Sequence, residues 1–316
     1  MYRFLKLAKG REFGIIISLL ILIIIFTISN PLFLKSDNLE SILRASAFTG
    51  IMAVGVGWLL ISGSIDLSIG AVAGMGSIVT SYLVVKLGYP ISLSVLFGLG
   101  SGLTMGIINY VLIFVVKIPA FLATIGTMYI ARGMAYFISN GFSIYPLPKV
   151  VGDFGIATPM NTSWHFIIFV LLIIISQVIL FHTVYGLEVR ATGSDREIAK
   201  MTEVNVTKIS ISTFIIAGTL SALSGILLMT RVVTGQPNSG AGWELIAISA
   251  CAIGGVSLFG YEGSFIGVFL GIITLQVIQN GLVVMGLSSH LNSIVVGIIL
   301  VCTAAIDWQR RTQLDI

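Results

Sequence analysis

The sequence predicts an all-α, polytopic membrane protein of about ten transmembrane helices with both termini in the cytoplasm. Three observations predict it. Hydrophobic residues make up 56% of the 316 positions and charged residues 9%. A soluble domain carries about 25% charged residues, so this surface is too poor in charge to face water all round. The mean hydropathy is +1.06. The apolar residues also gather into runs of roughly 20, the length a helix needs to cross a bilayer. A soluble enzyme, a nucleic-acid-binding domain and a disordered chain are excluded. The charge of +4 and the pI of ≈ 9.1 read as the Lys and Arg excess of cytoplasmic loops.

The runs follow one another with turn signals between them. The first, 12–30, comes after Lys6, Lys9 and Arg11 and ends at Asn30-Pro31 with no small-residue cleavage site. It reads as a retained span. Runs 40–60 and 66–86 are parted by a polar, glycine-bearing segment. Run 90–116 follows Gly88-Tyr89-Pro90, and run 119–139 follows Lys117-Ile118-Pro119. Runs 164–183 and 208–230 flank the most charged stretch of the chain. Run 244–258 is short and interrupted by glycine. Run 264–284 follows Tyr261-Glu262-Gly263, and run 290–306 closes the set.

Lys and Arg set the orientation. With the N-terminus inside, Arg3, Lys6, Lys9, Arg11, Lys117, Arg190, Arg196, Lys200, Lys208, Arg310 and Arg311 are cytoplasmic. Lys35, Arg44, Lys86, Arg132, Lys149 and Arg231 lie outside or near the outer ends. The excess falls inside, as the positive-inside rule requires. The whole chain, 1–316, is then one transmembrane domain.

Two connections are long. The outer one, 140–163, contains Pro146, Gly152 and Pro159 and is expected to be ordered. The inner one, 185–208, carries Glu188, Arg190, Asp195, Arg196, Glu197, Lys200 and Glu203. Ser194 with Glu197 three residues on has the spacing of a capping box. A short helix from Ser194 would align Ile198, Met201 and Val204 or Val206 as an apolar stripe. Such a stripe needs cover, either a partner surface or the lipid interface.

Polar groups inside spans are costly and mark a pathway or a structural bond. Ser62, Ser64, Asp66 and Ser68 sit between two apolar runs with Gly63 and Gly70. Asp66 has two readings: a cap on the following helix, or a lining group of a solute path. Gln236, Asn238 and Glu244 likewise read as a recognition cluster or as a polar outer loop. Asn109, Gln177, Gln276, Gln279, Asn280 and Asn292 are neutral polar residues within spans, suited to bonding helix to helix. The rows Gly70/Gly74, Gly98/Gly102/Gly106 and Gly263/Gly267/Gly271 fit close packing within the chain or against another subunit.

Catalytic signals are missing. There is no phosphate-binding G-x-x-x-x-G-K-[ST] loop and no H-E-x-x-H or G-x-S-x-G pattern. His165, His182 and His290 lack metal-ligand spacing. No enzyme activity, metal or cofactor is expected. Cys251 and Cys302 stand in apolar runs and read as small hydrophobes.

Several ordered motifs resemble the membrane permease subunits of bacterial ABC importers for monosaccharides, the ribose/xylose/galactose group that also includes autoinducer-2 permeases. They are Ser62-Gly63-Ser64-Ile65-Asp66-Leu67-Ser68-Ile69-Gly70, Ile118-Pro119-Ala120-Phe121-Leu122-Ala123-Thr124 with Ala131-Arg132-Gly133, Gly193-Ser194-Asp195-Arg196-Glu197-Ile198-Ala199, Gln236-Pro237-Asn238 with Gly242-Trp243-Glu244, and Gly254-Gly255-Val256-Ser257-Leu258-Phe259-Gly260. The sequence departs from the family pattern at three places. Ser64 stands where a second glycine is usual, Asp195-Arg196 where Asn-Glu is common, and Tyr261-Glu262 where small residues are common.

The resemblance implies a non-catalytic permease of the bacterial inner membrane. A second permease copy would complete the pathway, a periplasmic sugar-binding protein would dock outside, and a cytosolic ABC ATPase would dock inside. The pathway residues it implies are Ser62, Ser64, Asp66, Ser68, Asn109, Phe121, Thr124, Gln236, Asn238 and Glu244. The loop 185–208 would couple to the ATPase through Ser194, Asp195, Arg196, Glu197, Ile198, Ala199, Lys200, Met201 and Glu203, with Arg196 meeting a compensating charge on the partner. Membrane lipid surrounds such a protein and nucleic acid has no part. The competing reading is a secondary transporter for a small polar solute, with Asp66 in ion coupling.

Overall fold

The computed structural model describes residues 2–159, 162–288 and 290–314, and side chains from residue 12 onward except 290, 292, 306 and those after 309. The side chains of Arg3, Lys6, Lys9, Arg11, Arg310 and Arg311, with His290 and Asn292, lie outside the described residues. The described residues form thirteen helices: α1 Tyr2–Ser29, α2 Ser36–Ile61, α3 Ile69–Val85, α4 Ile91–Tyr110, α5 Ala120–Ile138, α6 Lys149–Ile156, α7 Trp164–His182, α8 Val184–Ser194, α9 Arg196–Met201, α10 Val206–Val232, α11 Trp243–Ile253, α12 Phe265–Val284 and α13 His290–Leu314. A 3-10 turn, Pro31–Leu34, joins α1 to α2, and α4 runs on through a π-helical turn, Val111–Val115. Seven helices are long and apolar enough to cross a membrane: α1, α2, α4 with its π turn, α5, α7, α10 and α12. Helices α3 and α11 are apolar and shorter. Each apolar run of the sequence holds a helix.

Helices α2 and α10 form the centre. The most apolar window of α2 is 83% buried and that of α1 only 6%, so α1 lies at the edge. Small residues allow this. The backbone of α2 at Gly55 lies against Ala217 of α10, at Gly50 against the Phe169 ring, and at Gly57 against Phe265. Gly98, Gly102 and Gly106 of α4 pack on Thr80, Gly218 and Phe214. Gly267 and Gly271 of α12 pack on Gly254 and Ala250. A β-carbon at Gly102 or Gly218 would overlap the other residue's carbonyl oxygen. The four-spaced glycines thus serve packing inside the chain. In lipid this close approach replaces the hydrophobic effect as the cause of helix association.

Polar side chains bond the helices further. Gln177 of α7 accepts from the amides of Phe265 (2.8 Å) and Ile266 (3.3 Å), closing the open N-terminus of α12. Gln276 donates to Thr49 (3.2 Å), and Asn38 and Asn280 exchange hydrogen bonds of 2.9 Å. Cys251 is fully buried, while Cys302 is exposed on α13.

A candidate solute pathway with two broken spans

The first break, 62–68, separates α2 from α3. Gly63 turns the chain at φ +72, a conformation open to glycine without strain. Asp66 is 3% exposed. One carboxylate oxygen accepts from the Ser68 amide and hydroxyl, both at 2.7 Å, and the other from the Asn109 amide of α4 at 2.8 Å. Asn109 also donates to the Ser68 hydroxyl (2.9 Å) and accepts from Thr127 of α5 at 2.6 Å. Asp66 therefore closes a local turn onto Ser68, the N-cap of α3, and ties that turn to α4 and α5. Irregular backbone at this depth is tolerated because protein groups satisfy it.

The second break, 233–242, separates α10 from α11. Ile144 and Gly235 exchange backbone hydrogen bonds (2.8 and 3.0 Å) where it begins, and positive φ values at Gly240 (+73) and Gly242 (+80) turn it into α11. It lies along the first turns of α3. A β-carbon on Gly74 would sit 2.9 Å from the carbonyls of Pro237 and Ser239, and one on Gly70 would collide with the Glu244 carboxylate and the Gly240 carbonyl. Arg132 of α5 donates from Nη1 to those two carbonyls, at 2.7 Å to Pro237 and 2.8 Å to Ser239. Sequence reading placed Arg132 among the outer cations and gave it no role. The structure turns it inward, half-buried, as the support of the second break.

The breaks thus meet at one end of α3, and α5 braces both through Thr127 and Arg132. Of the sequence-derived pathway residues, Ser62, Asp66, Ser68, Asn109 and Thr124 are buried. Ser64, Gln236 and Glu244 are half-exposed, and Asn238 and Phe121 are exposed. A separate open cavity of about 370 Å³ lies between α2, α10, α11 and α12, lined by Ser41, Arg44, Arg231, Trp243, Gln276 and Gln279 among others.

The charged loop forms two helices, α8 and α9. Asp195 is the N-cap of α9, accepting from the amides of Glu197 (2.8 Å) and Ile198 (3.0 Å). This corrects the expected start at Ser194, which instead ends α8. Adjacent Ser and Asp are both good caps, and the carboxylate wins because α8 continues through the serine. Helix α9 stops at Met201, and Glu203 (φ +64) turns the chain away. Ala199 and Val206 are buried, while Ile198 (61%) and Met201 (83%) stand exposed. Glu197 and Lys200 pair beside them at 2.8 Å. The Arg196 guanidinium points inward. It donates to the Ser210 hydroxyl (3.0 Å), the Ser62 carbonyl (3.3 Å) and the Ser64 hydroxyl (2.8 Å), and its carbon lies 4.4 Å from the Phe114 ring centre. Burial pulls its pKa below the ordinary arginine value. Within this chain its partners are neutral groups.

Seven helices long and apolar enough to cross a bilayer, with two breaks held by protein groups, define a polytopic membrane protein. Residues 38–304 match the family described as branched-chain amino acid transport system / permease component, and the chain belongs to that family. The ribose import permease protein RbsC of Bacillus subtilis is 33% identical over 95% of this chain and 94% of its own length. The L-arabinose transport system permease protein AraH of Escherichia coli is 32% identical over 96% and 91%. The fructose import permease protein FrcC of Rhizobium meliloti is 31% identical over 94% and 85%. No solved structure matches. The resemblance read from the motifs is borne out: this is a multi-pass permease of the bacterial cytoplasmic membrane, and not an enzyme.

Proposed function

We propose that the chain is the permease subunit of an ABC importer and forms the pathway for a monosaccharide or similar polyol, driven by ATP hydrolysis in a separate subunit. The observation that carries this reading is the exposed tip of α9. Ile198 and Met201 present apolar surface beside the Glu197–Lys200 pair, on a short helix seated against the first break. An apolar tip that is offered to water needs a partner, and a cytosolic ABC ATPase is the partner that converts its movement into transport.

The chain is one domain of ten spans, with α3 and α11 entering as the helical parts of broken spans and both termini cytoplasmic. Residues 185–208 are the coupling loop, with Ser194 to Met201 and Glu203 at the ATPase. The solute passes Phe121, Ser64, Gln236, Asn238 and Glu244, and the buried Ser62, Asp66, Ser68, Asn109 and Thr124 hold the start of α3 in place. The cavity beside Trp243 and Gln276 adds hydroxyl, amide and indole groups suited to a hydroxylated solute. A sugar-binding protein delivers the solute from outside. A second copy completes the pathway across α5, whose outer face exposes Leu122 (60%), Tyr129 (71%) and Phe137 (84%) and leaves Gly126 and Gly133 open.

Ion coupling at Asp66 is disfavoured, because both oxygens already have partners and the group is buried. The test is the mass and activity of the complex that a tagged chain brings from its native membrane. Two permease copies with an ATPase, importing labelled ribose, arabinose or fructose only with ATP, is the expected result. A chain without an ATPase, or uptake that persists without ATP, overturns the reading.

A further inference from the structure

Two residues on different segments touch each other: the Arg196 guanidinium donates to the Ser64 hydroxyl at 2.8 Å. A glycine at position 64 has no hydroxyl to offer, and a glutamate at 196 has no proton to give.

Arg196 is not needed to form α9, because Asp195 already caps it. Nor does it alone seat the α8–α9 corner: Gly193 at the end of α8 lies against Gly63 and Gly260, and Ala199 of α9 is buried. A half-buried cation without a carboxylate partner among the described residues also carries a desolvation cost. What the side chain adds is attachment. Its planar fork joins α9 to the Ser62 carbonyl and Ser64 hydroxyl of the first break, to Ser210 at the start of α10, and to Phe114 in the π turn that follows α4. Ser64 lies two residues before Asp66, and Phe114 five residues after Asn109, the partner of Asp66. Arginine suits this task because its donors and flat face act together, which a lysine cannot match.

We infer that Arg196 is the positioning residue that carries displacement of α9 into the first break, through Ser64 and Ser62, and so moves the start of α3. This rests on the ABC-importer reading. A pull on α9 is delivered by a rigid, charge-assisted bond in a site of low dielectric. Without the bond, α9 follows the ATPase while the break lags behind.

The test uses the complex drawn from the native membrane by a tag on the permease, reconstituted in vesicles with labelled ribose, arabinose and fructose as probes. The readout is solute imported per ATP hydrolysed. R196A is expected to lower that ratio about tenfold while hydrolysis persists, the scale of one charge-assisted hydrogen bond, and S64A about threefold. R196K recovers part of the ratio. The double variant is no worse than R196A, because the two residues act as one unit. A wild-type ratio in R196A overturns the inference, as does an additive double variant. If R196A fails to assemble, S64A and R196K decide the matter by the same ratio. A wild-type complex that lacks an ATPase or imports none of the probes overturns the functional reading instead.

Discussion

The Arg132 guanidinium of α5 donates to the Pro237 carbonyl at 2.7 Å and, from the same nitrogen, to the Ser239 carbonyl at 2.8 Å. One side chain thereby ties the second break to α5, beside Gly74 of α3. An arginine within a span is expensive in hydrocarbon and persists where it satisfies exposed backbone. Removing it strands two carbonyls, at about 1–3 kcal/mol for each group left unpaired. R132A is therefore expected to lower the melting temperature in detergent and to abolish uptake, with R132K retaining part of both. An R132A chain as stable and as active as the parent would show that the bonds are incidental.

Asp66 permits a separation of roles. D66A leaves the Ser68 amide and hydroxyl without their acceptor and the Asn109 amide with one acceptor of two, so both stability and uptake are expected to fall. D66N keeps an acceptor oxygen toward Ser68 but sets its NH2 against the Asn109 NH2, so it is expected to restore only part of the stability. If D66N also restores uptake, Asp66 serves the turn before α3 and its charge has no part in transport. If D66N is stable and inactive, the carboxylate itself is required along the path. Thermal melting and uptake measured on the same preparations distinguish the two.

The helices were legible in the sequence because apolar runs of bilayer length admit few other folds. Even the irregular member, α11, was visible through its glycines. Residue types at the site were legible too: Asp66, Asn109, Gln236 and Glu244 stand out in apolar surroundings. Their pairing was not. Asn109 meets Asp66 across 43 positions and Arg132 meets Pro237 across 105, and a backbone carbonyl as partner leaves no mark in a side-chain pattern. The α9 start was misplaced by one residue because two good caps are adjacent. The inward course of Arg196 was hidden for a similar reason, since neutral partners give no charge complementarity to read.

Glycines predict opposite outcomes by position. Gly218 and Gly102 meet backbone to backbone, and Gly126 and Gly133 on α5 have nothing within 4 Å of an added β-carbon. G218L is expected to prevent folding, because α4 and α10 cannot separate without unpacking the centre. G126L and G133L are expected to fold normally and to weaken association of two copies on the α5 face. Expression yield and the mass of the detergent-solubilised complex check both. A monodisperse, wild-type G218L would overturn the packing argument, and dimers unaffected by either α5 variant would move the subunit contact elsewhere.

Glu197 separates folding from coupling. Its side chain is 75% exposed and, among the described residues, pairs only with Lys200, itself 57% exposed, one turn away. Such a surface pair contributes about 0–1 kcal/mol, and the cap on α9 comes from Asp195, so E197K leaves the fold intact. What changes is the charge of the tip beside Ile198 and Met201. If that tip seats in an ATPase, a reversed charge at the rim opposes docking, which repulsion of like charges makes costly. E197K is expected to reduce uptake sharply, with an unchanged melting temperature and an ATPase that no longer copurifies or hydrolyses ATP without import. I198E at the apolar part of the same tip is expected to act in the same direction. Normal uptake by both variants would place the coupling contact away from α9.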